Sequence, residues 1–439
     1  MPRCGTAPLL RWAVVIRSRR STPPAGLALV ATAALAAALA GCSSDDDSVV
    51  DETIVDTTTT TIRTPVESDG QLVIGAVLPL SDTLLGEPME AAVETAISRI
   101  NAAGGVLDEP VRLVVADEGS SAATATASIQ TLLDRDVDAI IGPASSLIAL
   151  STLDEMITAG KVVCSPTASA MALDEFPDQD LFFRTVPSDS LQARAMAATA
   201  DQTGAQRFTI VFVDDAYGRP FADTVESSLA NETVSVVGRI AFDANDDDLS
   251  DEAADLADSD TQVLILIAGG EDGTRFLEAL DDENTSELTT IVVNDALRNP
   301  TAPQRIQGLE DELRSKIVGL APQANSGDPE DPFDPPGLFA ANAFDCANLI
   351  ALATVRAGSD VPRDIARQIG QVSVSGSVCE TFEACLSTIQ SGFQIDYNGP
   401  SGVTDLLART GDPSRATFDR FTFDESGRDV LERTIVVGN

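Results

Sequence analysis

An α/β fold built as two lobes is what three features of the sequence predict. At 439 residues the chain exceeds the size at which one hydrophobic core usually stops growing. Its residues are 44% apolar but only 4% aromatic, which favours small-residue helices laid on aliphatic strands over an aromatic-rich sandwich. Apolar runs of strand length also alternate with stretches of helical periodicity along most of the chain.

In order, the pattern predicts strands at 72–78, 111–116, 139–141 and 162–164, separated by helices at 87–103, 122–135 and 147–158. A second set begins near Thr185. It comprises a helix at 191–203, a strand at 208–213, a helix at 221–229, strands at 234–240 and 263–268, a helix at 274–280 and a strand at 290–293. The Pro- and Asp-rich stretch 322–336 reads as loop, 339–356 as a long helix, and 434–437 as strand-like. Continuous apolar strands alternating with helices imply parallel sheets covered on both faces, with ligands bound beyond the carboxyl ends of the strands.

Composition narrows the function. Residues 1–41 hold five Arg and no acid; without them 23 basic residues face 69 acidic ones, a formal charge of −46. Such a surface repels nucleic acid and anionic membranes, and neither is expected as a partner. We read it as a solvated surface adapted to salty surroundings, with compositional drift of the genome as the plain alternative. Histidine is absent, removing the commonest general base and metal ligand. There is no Gly-x-Ser-x-Gly elbow, phosphate loop or Gly-x-Gly-x-x-Gly after a strand. Neither catalysis, nor a metal, nor a cofactor is expected.

Arg3, Arg11, Arg17, Arg19 and Arg20 precede an uncharged stretch, 25–41, matching the charged and apolar regions of a secretory signal. It ends at Leu39-Ala40-Gly41-Cys42, which resembles a bacterial lipobox, with lipidation expected on Cys42. A transmembrane anchor is the rival reading, but the run is Ala-rich and shorter than the ~20 strongly apolar residues a span needs. Residues 42–70, with Asp45-Asp46-Asp47, five Thr at 57–61 and Pro65, read as a disordered tether. At about 5–6 Å times the square root of its length it spans ~30 Å. A location outside the cytoplasm follows, with the lipid as the one link to the membrane.

The segments Gly75-Ala-Val-Leu-Pro79-Leu-Ser, Gly86-Glu-Pro-Met, Asn101-Ala-Ala-Gly-Gly-Val-Leu and Val115-Ala-Asp117 resemble the opening of the leucine/isoleucine/valine-binding family of periplasmic solute receptors. Ile141-Gly-Pro-Ala-Ser-Ser146, Ser165-Pro-Thr-Ala-Ser169, Phe183-Arg-Thr-Val-Pro187, Asp215-Ala-Tyr-Gly218 and Ala343-Phe-Asp-Cys-Ala-Asn348 agree in order. Asp396-Tyr-Asn-Gly-Pro-Ser-Gly402 is similar to a branch of that family common in bacterial uptake operons. The resemblance implies the type I periplasmic binding fold, two doubly wound parallel-sheet lobes joined by three crossing strands, placed near Thr185, Gly319 and Asp405. It divides the body into 71–185 plus 320–404 as N-terminal lobe and 186–319 plus 405–439 as C-terminal lobe.

Ser145 and Ser146 follow a strand and Gly142-Pro143 and open a helix, so their hydroxyls and free backbone amides suit a carboxylate. Thr167, Ala168 and Ser169 stand the same way after the next strand. In the family the matching positions hold the ligand's carboxylate; the resemblance implies hydroxyls from Ser146 and Ser169 and an amide from Thr167. Helix capping is the plain alternative for each serine. The resemblance also implies that Asp295 meets the ligand's ammonium, that Tyr217 lines the pocket, and that Glu271 replaces a second pocket aromatic. Leu84-Leu85 stands where relatives often present another aromatic.

Of the six cysteines, Cys4 lies in the signal and Cys42 at the lipid site. Cys379 and Cys385 flank a short turn in an exported protein, and a local disulfide is expected. Cys164 and Cys346 read as buried thiols, with a first-lobe bridge between them as the alternative. Together these features predict a monomeric, non-enzymatic receptor for a small amino acid or related polar metabolite, working with an ABC permease and ATPase. A sensor module of the same fold is the rival.

Overall fold

Unbroken aliphatic runs set the first sheet. β1 (Val73–Leu78) is buried at every position, and α1 (Gly86–Ala102) lays Met89, Val93, Ala96 and Ile100 on it at helical spacing. β2 (Arg112–Asp117), α2 (Ala122–Leu133), β3 (Ala139–Ile141), α3 (Ser146–Thr158), β4 (Val162–Ser165) and β5 (Phe182–Arg184) complete a parallel sheet in the order β2-β1-β3-β4-β5. Ile74 stands in register between Leu113 and Ala139. The turn leaving β3 presses on the end of β1: Gly142 has φ +100°, and a Cβ there would lie 2.0 Å from the Val77 carbonyl oxygen. Only glycine lets that turn pass.

This computed structural model describes residues 67–229, 234–299, 301–323, 337–402 and 405–438. The export segment, Cys42, the tether up to residue 66 and most of the 322–336 loop lie outside the described residues.

After β5 the chain passes to a second sheet. α4 (Asp189–Asp201), β6 (Arg207–Val213), α5 (Gly218–Leu229), β7 (Ser235–Phe242), α6 (Ser250–Ala257), β8 (Val263–Ile267), α7 (Gly270–Asp281), β9 (Thr290–Val293), α8 (Ala302–Gly308), α9 (Asp311–Arg314) and β10 (Ile317–Pro322) build its parallel part. The chain returns for α10 (Ala340–Ala357), α11 (Pro362–Val372), β11 (Ser377–Cys379), α12 (Phe382–Gln390) and β12 (Ile395–Tyr397). It then goes back for β13 (Arg415–Phe423) and β14 (Asp429–Gly438).

The second sheet runs β14-β13-β10-β9-β8-β6-β7, antiparallel across β10, β13 and β14 and parallel elsewhere. β13 has no counterpart among the predicted strands, because Arg415, Asp419 and Arg420 interrupt its apolar run. β10 remains in this sheet as far as Pro322, which stands opposite Phe418, so the second passage between lobes follows Pro322 rather than Gly319. α10 is buried almost all round, since its Ala-rich surface packs closely, and it shares the core of β1.

Cys164, in β4, and Cys346, in α10, form a disulfide with a Cα–Cα distance of 5.7 Å. The expectation of two plain thiols is thereby corrected; their separation of 182 residues conceals a contact that exists only once α10 is laid against the sheet. A second disulfide joins Cys379 to Cys385 beside the small parallel pair β11–β12.

At the end of β5, Arg184 is 0% exposed. Its guanidinium pairs with Asp174 and, at 2.7 Å, with Asp412, and donates to the carbonyls of Ala168 and Ala170 at 3.1 and 3.2 Å. Removing one member of a buried, hydrogen-bonded charge cluster strands the others. Arg184→Met is expected to lower unfolding stability by about 3–5 kcal/mol in a denaturant titration; a loss below ~1 kcal/mol, the worth of an exposed pair, contradicts this reading.

Candidate functional site

Three chain segments meet where the strands of the first sheet end. Ser145 caps α3, its Oγ accepting from the Ile148 amide at 3.4 Å. The Ser146 hydroxyl accepts from the Ala170 amide at 3.3 Å, tying the α3 turn to the loop after β4. The amides expected to be free around Ser145 are partly taken. Glu118, buried beyond the end of β2, accepts from the Ala144 amide at 2.6 Å and the Ser145 amide at 3.2 Å. Burial pushes the Glu118 carboxyl above its ordinary range, and the two amides oppose that. Among the described residues the first-turn amides of Ser146 and Leu147 keep no intramolecular partner, so they are what this helix terminus offers an anion.

The loop after β4 is built from its own polar groups. Ser165 donates to the Pro143 carbonyl at 2.6 Å and accepts from the Ala168 amide at 3.0 Å. The Thr167 hydroxyl donates to the Ala144 carbonyl, and the Ala168 carbonyl is held by Arg184. Thr167 and Ala168 thus spend these groups on the loop's own shape. Ser169 faces differently: its carbonyl accepts from the Asp189 amide at 2.9 Å, and its hydroxyl favours the ionised Asp189 carboxylate.

Asp189, buried in the first turn of α4, had no place among the sequence-derived candidates. A carboxylate at a helix start passes for an ordinary partner of the helix dipole. Its setting says otherwise. Burial, then the neighbouring charge of Asp295, push its pKa up to about 7, against the Ser169 hydroxyl and the charge of Arg184. Asp295 begins a 3-10 turn after β9 and accepts from Gln192 Nε2 at 2.9 Å. Burial raises this carboxyl too, and the Gln192 bond opposes it. The Tyr217 hydroxyl accepts from Asn294 Nδ2 at 2.9 Å and is driven well above its ordinary range by burial and by both carboxylates.

Ser169, Asp189, Asp295 and Tyr217 therefore form one electrostatically coupled group. Asp295 also borders a cavity of about 200 Å³ whose opposite wall is Leu338, Phe339 and Asn342 of the first lobe. Glu271 does not join the group: it lies exposed in the first turn of α7. Leu84, in the aromatic position, is 61% exposed, and Leu147 beside Ser146 is 80% exposed. Acids on the second lobe and hydroxyls with two open amides on the first make a surface for a small molecule that carries both charges.

The profile of the periplasmic binding protein family matches residues 71–310. A chemotactic signal transduction substrate-binding protein, BasB, of Halobacterium salinarum is 28% identical over 77% of this chain and 84% of its own. A Leu/Ile/Val-binding protein homologue of Brucella melitensis is 23% identical over 75% of this chain and 89% of its own. Among solved structures, the branched-chain amino acid binding protein LivJ of Streptococcus pneumoniae, in complex with isoleucine, superposes with a TM-score of 0.62 at 19% identity, covering 84% of this chain and 100% of that one. The fold is thus the type I periplasmic binding fold, and the chain belongs to the periplasmic binding protein family, whose business is solute binding rather than catalysis.

Proposed function

We propose that this protein is the extracytoplasmic solute-binding lipoprotein of an ABC importer, taking a small amino acid of the branched-chain type or a related polar metabolite between its lobes. The observation that carries the reading is the pair Asp189 and Asp295, both raised by burial, with the charge of Asp295 raising Asp189 further and the Ser169 hydroxyl opposing it. Such a pair is relieved by one positive charge. An α-ammonium supplies it, while Ser146, Ser169 and the open amides of the α3 terminus receive the α-carboxylate. A ligand bonded to both lobes stabilises the closed form by whatever it gains only there. A lipid on Cys42 and the 42–70 tether would keep the monomeric receptor near its permease and ATPase, with no cofactor involved.

The second reading is a sensor, and the likeness to a chemotaxis substrate-binding protein over most of the chain favours it specifically. Uptake of radiolabelled ligand lost on deleting the gene supports import; intact uptake with lost attraction to the ligand supports sensing.

Asp295→Ala is expected to weaken an α-amino ligand about tenfold or more, the worth of one charged hydrogen bond, with Asp189→Asn acting in the same direction. Calorimetric affinities unchanged in both variants would sink the amine assignment.

The pair also predicts a pH dependence. Asp189 moves from an ordinary 3.8 to about 7 on folding, so between those values the folded state holds a proton that the unfolded chain has lost. Its contribution to stability is present at the acid end of that window and is lost as pH rises through about 7. Ligand binding runs the opposite way: an ammonium displaces that proton, so affinity should increase as pH rises through about 7. Calorimetry at neutral pH in buffers of different ionisation enthalpy should show proton release; identical heats in phosphate and Tris contradict the linkage.

Finally, Cys42→Ala is expected to move the protein from the membrane fraction to the soluble fraction with ligand affinity intact. A variant still sedimenting with membranes removes the case for the lipid.

A further inference from the structure

The start of α3 offers a ligand fewer groups than a helix terminus beyond a strand ordinarily does, and the cause is a side chain of the protein itself. Glu118 follows the last residue of β2 and is 2% exposed. One of its carboxylate oxygens accepts from the Ala144 amide at 2.6 Å and the other from the Ser145 amide at 3.2 Å. The Ser145 hydroxyl takes the Ile148 amide at 3.4 Å. Left open are the adjacent amides of Ser146 and Leu147, with the Ser146 side chain between them and the loop after β4. Two neighbouring donors match the two oxygens of a carboxylate. A tetrahedral oxyanion such as a phosphonate brings three oxygens and, well above a second pKa of about 6, close to two negative charges.

The charge at this terminus is also the protein's own. Both oxygens of Glu118 face N–H donors, an arrangement that suits the ionised form. The charged neighbour acting on it is a second acid, Asp117, which the Ser81 hydroxyl and the Gly119 amide hold below its ordinary range. No Lys or Arg occurs in 142–148 or 165–169, the two segments that flank the open amides. The guanidinium of Arg184 is committed to Asp174 and Asp412. The dipole of α3 attracts an anion, and a resident carboxylate already draws on it.

We infer that Glu118 is a positioning residue that restricts the anionic group of the cargo to a single carboxylate. It leaves two amides open and sets a negative charge beside them, so that α-amino carboxylates are accepted and the corresponding aminophosphonates are rejected. This deepens the α-amino reading above and rests on it.

L-leucine and L-alanine, each paired with the aminophosphonate of the same side chain and handedness, test it, because the members of a pair differ only at the anion. In calorimetric titrations of the full-length protein at pH 8, whichever amino acid binds should do so about tenfold or more tighter than its phosphonate, the order of one like charge felt at a partly buried site. Glu118→Gln keeps the size of the side chain and removes its charge. It should improve the phosphonate relative to the amino acid at least about threefold. A purely structural role would weaken both members together, so a ratio unchanged in the variant overturns the assignment of Glu118. If the variant folds poorly, the unmutated protein still decides: a phosphonate bound as tightly as its amino acid overturns this inference alone. Failure of both amino acids to bind overturns the α-amino reading and this inference with it.

Discussion

The buried guanidinium of Arg184 is the interaction on which the rest of the cleft depends. It closes β5, the last strand of the first sheet, and its partners come from two stretches far apart in the chain, the loop after β4 and the segment at Asp412. The carbonyls of Ala168 and Ala170 set the loop that presents Ser169, and Asp174 shapes the following turn and accepts from Ser188 at 2.7 Å. Asp412 anchors the chain on its last passage to the second sheet. A charge withdrawn from water is tolerable only when its donors are satisfied, and this one meets two carboxylates and two carbonyls. Ser188 caps α4, whose first residue is Asp189. One cation thus holds the loop that presents Ser169 in one lobe and, through Asp174 and Ser188, the turn that leads to Asp189 in the other.

A second buried network fixes the far side of the passage. Asp345 of α10 accepts from the Tyr397 hydroxyl at 2.6 Å, the Ser401 amide at 2.9 Å and the Ser401 hydroxyl. Burial lifts its pKa to about 6 in spite of those three bonds. A Cβ on Gly399 would lie 1.9 Å from Asp345 Oδ1, so the turn can approach the carboxylate only as glycine. Two sequence signatures far apart in the chain, Ala343–Asn348 and Asp396–Gly402, are therefore the two halves of one contact.

The parts of the molecule legible in the sequence are those with one dominant cause. β1, β3, β4 and β8 are buried on both faces, so their sequences are continuous aliphatic runs that admit no other reading. β13 was illegible because Arg415, Asp419 and Arg420 break its apolar run, which its antiparallel place between β10 and β14 tolerates. At the site, Asp295 and Ser169 were visible through the family signature. Asp189 was not, since its chemistry comes from a neighbour 106 positions away in a buried pair, not from its own surroundings in the chain. Glu118 was hidden for the same reason. An intrinsic carboxylate that occupies the amides of a helix terminus leaves no trace in the local sequence, yet it decides which of those amides a ligand can use.

The acidic character of the chain and the acidity of the site have different physical scope. With 69 acidic against 28 basic residues, the surface field is strong but lies in water, where charges more than ~8–10 Å apart are screened at physiological salt. Asp189 is buried, where screening is weak, so the effect of the neighbouring Asp295 charge on it survives at ionic strengths that silence the surface. Two consequences follow together. The acid pair carries an electrostatic cost that a proton relieves by neutralising one acid. On the proposed amino-acid reading, an ammonium borne by a molecule whose carboxylate reaches Ser146 would relieve the same cost and favour lobe closure. On that reading, selectivity for a zwitterion over a bare cation would be set by the coupling of the acid pair to the hydroxyls of the first lobe, and the buried Arg184 holds both the loop that presents Ser169 and the turn that leads to Asp189.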